Sequence, residues 1–276
     1  LSYKVDVLLF QSLVKQDERK EILDRYGMVV VDECHHLGAF SFESLLKEVK
    51  ARFVVGLTAT PIRRDGKHPI VTMQLGPIRH VVKRSCVLEM RMLVFIKTIR
   101  KTSIPDGLPI QEVFRRLALD KGRNRMIAED VKKACSEGRN ILVLSQRCDH
   151  LLVLAQELEM INQECFVLHG RMGVKKRREV MGAFDEKEGP KVLLSTGSLI
   201  GEGFDKPLLD SLFLALPISW KGTLSQYAGR LNREYPGKVE VRVYDYVDGD
   251  NKQLLNMFKR RQVGYRALGY RMEEKE

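Results

Sequence analysis

The feature that most constrains this chain is a rhythm of short, β-branched apolar runs. They are "MVVVD" (28–32), "FVVGL" (53–57), "ILVLS" (141–145), "CFVLH" (165–169), "KVLLS" (191–195), "SLFLAL" (211–216) and "VRVYDY" (241–246). A strand wetted on one face alternates apolar with polar residues, and these mostly do not. Such strands are buried on both faces, as in parallel sheets covered by helices. Between them lie "SFESLLKEVKA", "HLLVLAQELEMI" and "KKRREVMGAFDEK", whose apolar residues recur at helical spacing. The order β-α-β-α predicts a doubly wound α/β architecture.

Both periodicities fail across 97–110, "KTIRKTSIPDGLPI", where prolines, a glycine and polar residues intervene. This break places a domain boundary there, giving a first domain at 1–100 and a second at 101–250. The first offers few strands, thin for a complete doubly wound sheet. Residues 251–276 read as a basic C-terminal helix, with Lys259, Arg260, Arg261, Arg266 and Arg271 interleaved with Phe258, Tyr265 and Tyr270. That pattern suits a nucleic-acid or partner contact, or an amphipathic helix packed on the second domain.

Composition narrows the function classes. A chain that is 44% hydrophobic and 30% charged reads as globular. No apolar run approaches the eighteen residues or so that span a bilayer, and the N-terminus shows no secretory pattern, so no membrane partner is expected. The five cysteines (34, 86, 135, 148, 165) form no C-x-x-C pair, which argues against a disulfide framework or a four-cysteine zinc site and fits a reducing cytoplasm. A net charge of +11 favours a polyanionic partner.

The chemistry begins at "VVVDECHHLG" (29–38). A carboxylate at the carboxyl end of a buried parallel strand sits where α/β proteins bind ligands. Asp32 followed by Glu33 suits a nucleotide triphosphatase, the first acid holding Mg²⁺ and the second orienting and deprotonating the attacking water. Taken alone, the pair is more often a strand ending at a polar turn. Cys34, His35 and His36 make a poorer zinc set, because adjacent residues point apart and no second ligand pair follows.

The next strand ends in Thr58-Ala59-Thr60-Pro61, about 26 residues after the acids. Further on come "STGSLIGEGFDKP" (195–207) and "SQYAGRLNR" (225–233). Two arginines three apart on one helix face, Arg230 and Arg233, can both reach the charge developing on a γ-phosphate.

In this order the segments resemble motifs II, III, V and VI of the superfamily 2 helicases, the DEAD/DEAH group. The resemblance implies two RecA-like domains closing on ATP and Mg²⁺, with Asp32, Glu33, Arg230 and Arg233 catalytic and Asp32 bearing the metal. It makes His35, Thr58, Ala59, Thr60 and Gln226 coupling residues, and turns Gly203 and Asp205 toward the nucleotide. Thr196 would face the nucleic-acid backbone. "VDVLLFQSLVK" (5–15) resembles motif Ib, with Gln11 and Ser12 near the nucleic-acid track, and His169-Gly170 in "LHGRMGVKKRREVMGAF" would end a strand close to it. The basic cluster 175–178 there suits phosphate contact or an exposed helix face equally. "GLTATPIRRDG" followed by "LGPIRH" is most similar to the branch holding the XPB-type DNA translocases and the restriction-enzyme motor subunits.

One piece of the family pattern is not in the sequence. Neither Gly66-Lys67 nor Gly237-Lys238 fits G-x-x-x-x-G-K-[ST], the P-loop whose amides and lysine grip phosphates. The expectation is therefore a first domain truncated at its N-terminus, inactive without that part of its parent. The function implied is an ATP-dependent helicase or translocase, DNA-directed. An RNA helicase and a non-enzymatic nucleic-acid clamp are the alternatives.

Overall fold

The computed structural model describes residues 2, 4–15, 18–34, 40–58, 68–81, 90–99, 104–201, 204–218 and 221–274. The chain forms two compact units, Leu1–Ser85 and Cys86–Glu276.

In the first unit the described elements are α1 (Phe10–Val14), α2 (Arg19–Leu23), β1 (Met28–Val31), α3 (Phe40–Glu48), β2 (Phe53–Gly56) and α4 (His68–Leu75). The strands pair in parallel, Met28 opposite Phe53 and Val31 opposite Gly56. Leu13, Leu23 and Leu45 of the first three helices form a small core. The valine runs predict burial on both faces, and here that fails. Met28, Val30, Phe53 and Val55, which share a face by parity and register, are 52%, 53%, 55% and 37% exposed.

The second unit runs β3 (Arg91–Ile99), α5 (Ile110–Leu119), α6 (Lys121–Ser136), β4 (Ile141–Ser145), α7 (Cys148–Met160), β5 (Phe166–Leu168), α8 (Val174–Glu186), β6 (Val192–Thr196), α9 (Gly197–Gly201), β7 (Ser211–Leu214), α10 (Lys221–Leu231), β8 (Glu240–Asp248), α11 (Lys252–Ala267) and β9 (Arg271–Glu274). Its seven strands pair in parallel, in the order β5-β6-β4-β7-β8-β3-β9. β4, β6 and β7 are buried at every position. Alternate residues feed two cores. Leu142 and Leu144 join Phe184, Ile200, Leu224, Leu231 and Tyr265, from helices on one face. Ile141 and Val143 join Ile127, Val131, Leu151, Leu154 and Leu158, from α6 and α7 on the other. This is the doubly wound arrangement the rhythm predicts.

Two segments differ from the sequence reading. Residues 91–99 fall within the first domain as the sequence divides it (1–100) and run into the break at 97–110, yet all nine pair with β8 in the second unit's sheet. The hydrophobic run "MLVF" is claimed by the partner that can hydrogen-bond along its whole length. The C-terminus is not one helix: Gly269 has φ +83°, ending α11, and β9 then adds to β3.

Arg261 is not part of a surface basic stripe, as the sequence pattern allowed. It is 1% exposed, its Nε and Nη2 donating to the Asp245 carboxylate at 2.7 and 2.9 Å and its Nη1 to the Ile218 carbonyl at 2.8 Å. The Tyr265 hydroxyl donates to the same carboxylate at 2.9 Å. Phe258, Tyr265 and Tyr270 are core, whereas Lys259, Arg260, Arg266 and Arg271 face solvent. On the opposite face Arg123, 2% exposed, donates from Nη1 to both Asp248 oxygens at 3.1 and 2.9 Å and from Nη2 to the Ala215 carbonyl at 3.3 Å. Losing one partner of such a pair strands a buried charge, at a cost of about 3–5 kcal/mol.

A buried polar network joins α6, β4 and α7. The neutral His150 ring donates from Nε2 to Asn124 Oδ1 at 2.9 Å and accepts the Ser145 hydroxyl at Nδ1 at 3.1 Å. Ser145 Oγ also accepts the Arg147 amide, and Asn124 Nδ2 donates to the Ala118 carbonyl. Burial, with the Arg123 charge second, pulls the His150 pKa down to about 3. An unfolded chain protonates this histidine near pH 6.5, so the native state binds fewer protons between the two values. The network's contribution is complete above about 6.5 and drains as pH falls toward about 3. The stability advantage of the natural chain over His150→Gln should therefore shrink below pH 6.5, by up to about 1.4 kcal/mol per pH unit. Urea unfolding of both at pH 7 and pH 5 measures it; a pH-independent difference would contradict the assignment.

α9 and α10 meet at a glycine. A Cβ on Gly197 would lie 2.0 Å from the Tyr227 hydroxyl oxygen and 2.9 Å from its Cζ, and Tyr227 is buried. Gly197→Ala should cost about 1–3 kcal/mol through overpacking. Tyr227→Leu in that background should recover part of it, with a coupling of about 0.5 kcal/mol or more in a double-mutant cycle; additive effects would rule out the contact.

Candidate functional site

Asp32 and Glu33 follow β1 directly, on a polar turn. Asp32 is exposed and its Oδ1 accepts the Glu33 amide at 2.9 Å, so the turn orients a carboxylate that water still reaches. An oxygen donor held this way suits a hard divalent cation. Glu33 has φ +46°, a left-handed conformation that residues other than glycine seldom adopt and that clusters at functional sites. Cys34 tucks inward: its amide donates to the Leu57 carbonyl at 2.9 Å, and Leu57 returns a bond to Val31 O at 2.9 Å. These bonds lace the acidic turn to the segment leading to Thr58, which is half-buried.

Gly56 permits that approach. A Cβ there would meet Cys34 Sγ at 3.0 Å and Leu75 Cδ1 at 2.4 Å. Burial pushes the Cys34 thiol pKa up, against a thiolate ligand's needs. Among the described residues no group of three or more His, Cys, Asp or Glu side chains could hold a metal ion. His35, His36, Ala59 and Thr60 lie outside the described residues, as does Gly203. Gln11 and Ser12 fall in α1, Ser12 exposed.

In the second unit Thr196 ends β6 and is 6% exposed. Leu168 pairs with Ser195, which brings His169, just past β5, to the carboxyl edge of the sheet beside Thr196. His169 is half-buried, with its amide on Met172 Sδ at 3.4 Å, and Gly170 is exposed. The carboxyl edge of a parallel sheet is where open α/β folds take ligands.

Asp205, Arg230 and Arg233 come together elsewhere in this unit. Arg230 Nη1 donates to the Phe204 carbonyl, and Arg233 pairs with Asp205. Arg230 lies in the last turn of α10, which also carries Gln226, whereas Arg233 lies two residues past the helix end at Leu231, so the pair does not share one helix face as the spacing suggested. Spacing in the sequence brings out the pair; the acid that meets Arg233 needs the fold, because the partners are 28 residues apart in sequence. One side chain at this junction escapes a motif reading. Lys238 Nζ donates to the Pro207 and Leu209 carbonyls at 2.8 and 2.5 Å, to the Leu231 carbonyl, and to the Arg233 carbonyl at 3.2 Å. Its only sequence signal is the Pro236-Gly237 turn before it.

No helix among the described residues is long and apolar enough to cross a membrane.

Comparison with known proteins bears on family and fold. Residues 2–63 match the family model of the type III restriction enzyme res subunit, and residues 124–234 match the helicase conserved C-terminal domain. A protein of Acanthamoeba polyphaga mimivirus, named as a candidate ATP-dependent RNA helicase, is 25% identical over 97% of this chain and 52% of its own length. The DNA 3'-5' translocase XPB2 of Sulfurisphaera tokodaii is 24% identical over 83% of this chain and 60% of its own. The ATP-dependent DNA helicase uvsW of Enterobacteria phage T4 is 24% identical over 87% and 49%. The chain thus spans about half to three-fifths of the length of these relatives. The crystal structure of T4 UvsW superposes with a TM-score of 0.51 at 21% identity, over 96% of this chain and 57% of that one. Mss116p bound to single-stranded RNA and AMP-PNP gives 0.61 at 13% identity, over 97% and 51%. Those likenesses establish the RecA-like fold. The two family matches together with the XPB relatives support a superfamily 2 helicase, on the branch that holds the XPB-type translocases and the restriction-enzyme motor subunits.

Proposed function

We propose that this chain is part of an ATP-driven, DNA-directed translocase or helicase. The observation that carries this is the junction at the end of α10. There Arg230 and Arg233 are held against Phe204 and Asp205, in the chain order that follows an exposed acidic turn at Asp32-Glu33.

In this reading Asp32 would hold Mg²⁺ with the nucleotide, and the metal would supply charge neutralisation on the phosphates. Glu33 orients the attacking water and takes its proton. Arg230 and Arg233 meet the charge that develops as the terminal phosphoryl group leaves, and Asp205 releases Arg233 as it does so. His35, Thr58, Ala59, Thr60 and Gln226 relay nucleotide state, and Gly203 lines the nucleotide's edge. Gln11, Ser12, His169, Gly170 and Thr196 serve the nucleic-acid track, gripping phosphates without strong sequence preference. The chain holds no P-loop sequence. We therefore expect hydrolysis only when it is joined to upstream sequence that supplies one.

DNA is preferred over RNA because the acidic motif reads Asp-Glu-Cys-His and because the XPB2 and uvsW relatives carry DNA in their names. RNA is the second reading, favoured by the mimivirus relative's name. A form extended upstream of Leu1 to include a P-loop should hydrolyse ATP faster with single-stranded DNA than with RNA. In that form Arg233→Ala should lower kcat by roughly 10³-fold or more, the scale of an arginine finger, while ATP binding stays within about threefold. Equal loss of binding and hydrolysis would remove the arginine assignment. No hydrolysis in any form would favour a non-enzymatic clamp.

A further inference from the structure

Arg230 in the last turn of α10 and Arg233 two residues past it are like charges, and the contacts that aim them are unequal in strength. The Arg233–Asp205 pair is 46% and 54% exposed, and an exposed pair of that kind is worth about 0–1 kcal/mol. Such a contact does not fix a guanidinium by itself. The last carbonyls of a helix also lack partners further along it and need donors from elsewhere.

Those donors come from a turn. The Lys238 amide donates to the Tyr235 carbonyl at 3.0 Å, and Gly237 has φ +80°. This is the type II arrangement, proline then a left-handed glycine, and a side chain at Gly237 would be strained. The turn swings Lys238 back against the helix it has just left. Its ammonium reaches Leu231, the last residue of α10, and Arg233 just past it, and also Pro207 and Leu209, in the segment leading from Asp205 into β7. Three N–H donors serve four carbonyls, two on each side of the junction. The charge also meets the negative end of the helix dipole.

We propose that Lys238 is a positioning residue for the arginine pair: its ammonium locks the end of α10 to the 205–209 segment and so sets where Arg230 and Arg233 project. The proposal rests on the reading of those arginines as nucleotide-directed. Burial lowers the Lys238 pKa to about 8, with the Asp210 charge opposing the fall, so the group is still mostly a cation at neutral pH. A solvated lysine that merely capped the helix would have no need of carbonyls from the facing segment.

The test uses this chain, with Lys238→Met and the guanidinium ¹⁵Nε and ¹³Cζ resonances of Arg230 and Arg233 as readout, assigned through Arg230→Lys and Arg233→Lys. In a Lys238→Met protein whose β4 and β6 amides are unmoved, both resonances should shift toward those of solvated arginine. Unmoved arginine resonances would overturn the proposal. Should Lys238→Met not fold, Lys238→Gln keeps two of the three donors and should give a smaller shift in the same direction; no shift there also overturns it. In the upstream-extended form, Lys238→Met should lower kcat roughly tenfold or more and leave KM for ATP within about twofold, the pattern of lost alignment. Displaced arginines with an unchanged kcat would overturn the positioning role. If the natural sequence hydrolyses no ATP in any form, the functional reading fails, and the resonances still decide whether Lys238 holds the pair.

Discussion

Two buried arginines hold the second unit together at one strand. Arg123 from α6 and Arg261 from α11 approach β8 from opposite faces of the sheet, take Asp248 and Asp245, and each spend a further bond on the chain that leaves β7, at Ala215 and Ile218. A buried ion pair is weak evidence for net stability, since desolvation offsets most of the Coulombic gain. Its consequence here is geometric. The guanidiniums bond the Ala215 and Ile218 carbonyls and so fix the segment that leaves β7. α10 then carries Arg230, with Arg233 just past its end. Specificity of placement, more than stability, is what these buried charges contribute.

At the C-terminal end of α10, Lys238 bonds the Leu231 carbonyl. Tyr227 of α10 packs over Gly197 of α9, seating one helix on the other. The helix is located by close packing and polar satisfaction together. The Arg233–Asp205 pair is exposed and weak by comparison, which is compatible with the proposed exchange of partners on a phosphate.

The sequence made legible whatever local periodicity controls. "ILVLS" coincides with β4, and "KVLLS" and "SLFLAL" fall on β6 and β7, because a strand buried on both faces has no polar residues to disguise it. Residues 91–99 were harder: their run flows into a proline-rich break, and only the nine-residue pairing with β8 reveals the strand. For Arg261 the sequence pattern left two readings open, and the structure takes the packed one. Its neighbours Lys259 and Arg260 do face solvent, and helical spacing alone does not reveal that one cation of the series turns inward to a carboxylate sixteen residues earlier. In the first unit the valine runs gave the strands correctly but their burial incorrectly, since burial depends on what covers the sheet. Motif order marked the candidate site residues; side-chain partners 26 and 28 residues away in the chain, Phe204 for Arg230 and Asp205 for Arg233, required the fold.

A motor differs from a clamp in one thermodynamic respect: nucleotide and nucleic acid must change each other's affinity. The direct measurement is the Kd for a labelled single-stranded DNA, read by fluorescence anisotropy at fixed salt, on the upstream-extended form with no nucleotide, with ADP and with a non-hydrolysable ATP analogue. A translocase predicts affinities that differ by at least about fivefold between nucleotide states. Identical affinities in all three, with nucleotide shown to be bound, would contradict a motor built on these residues.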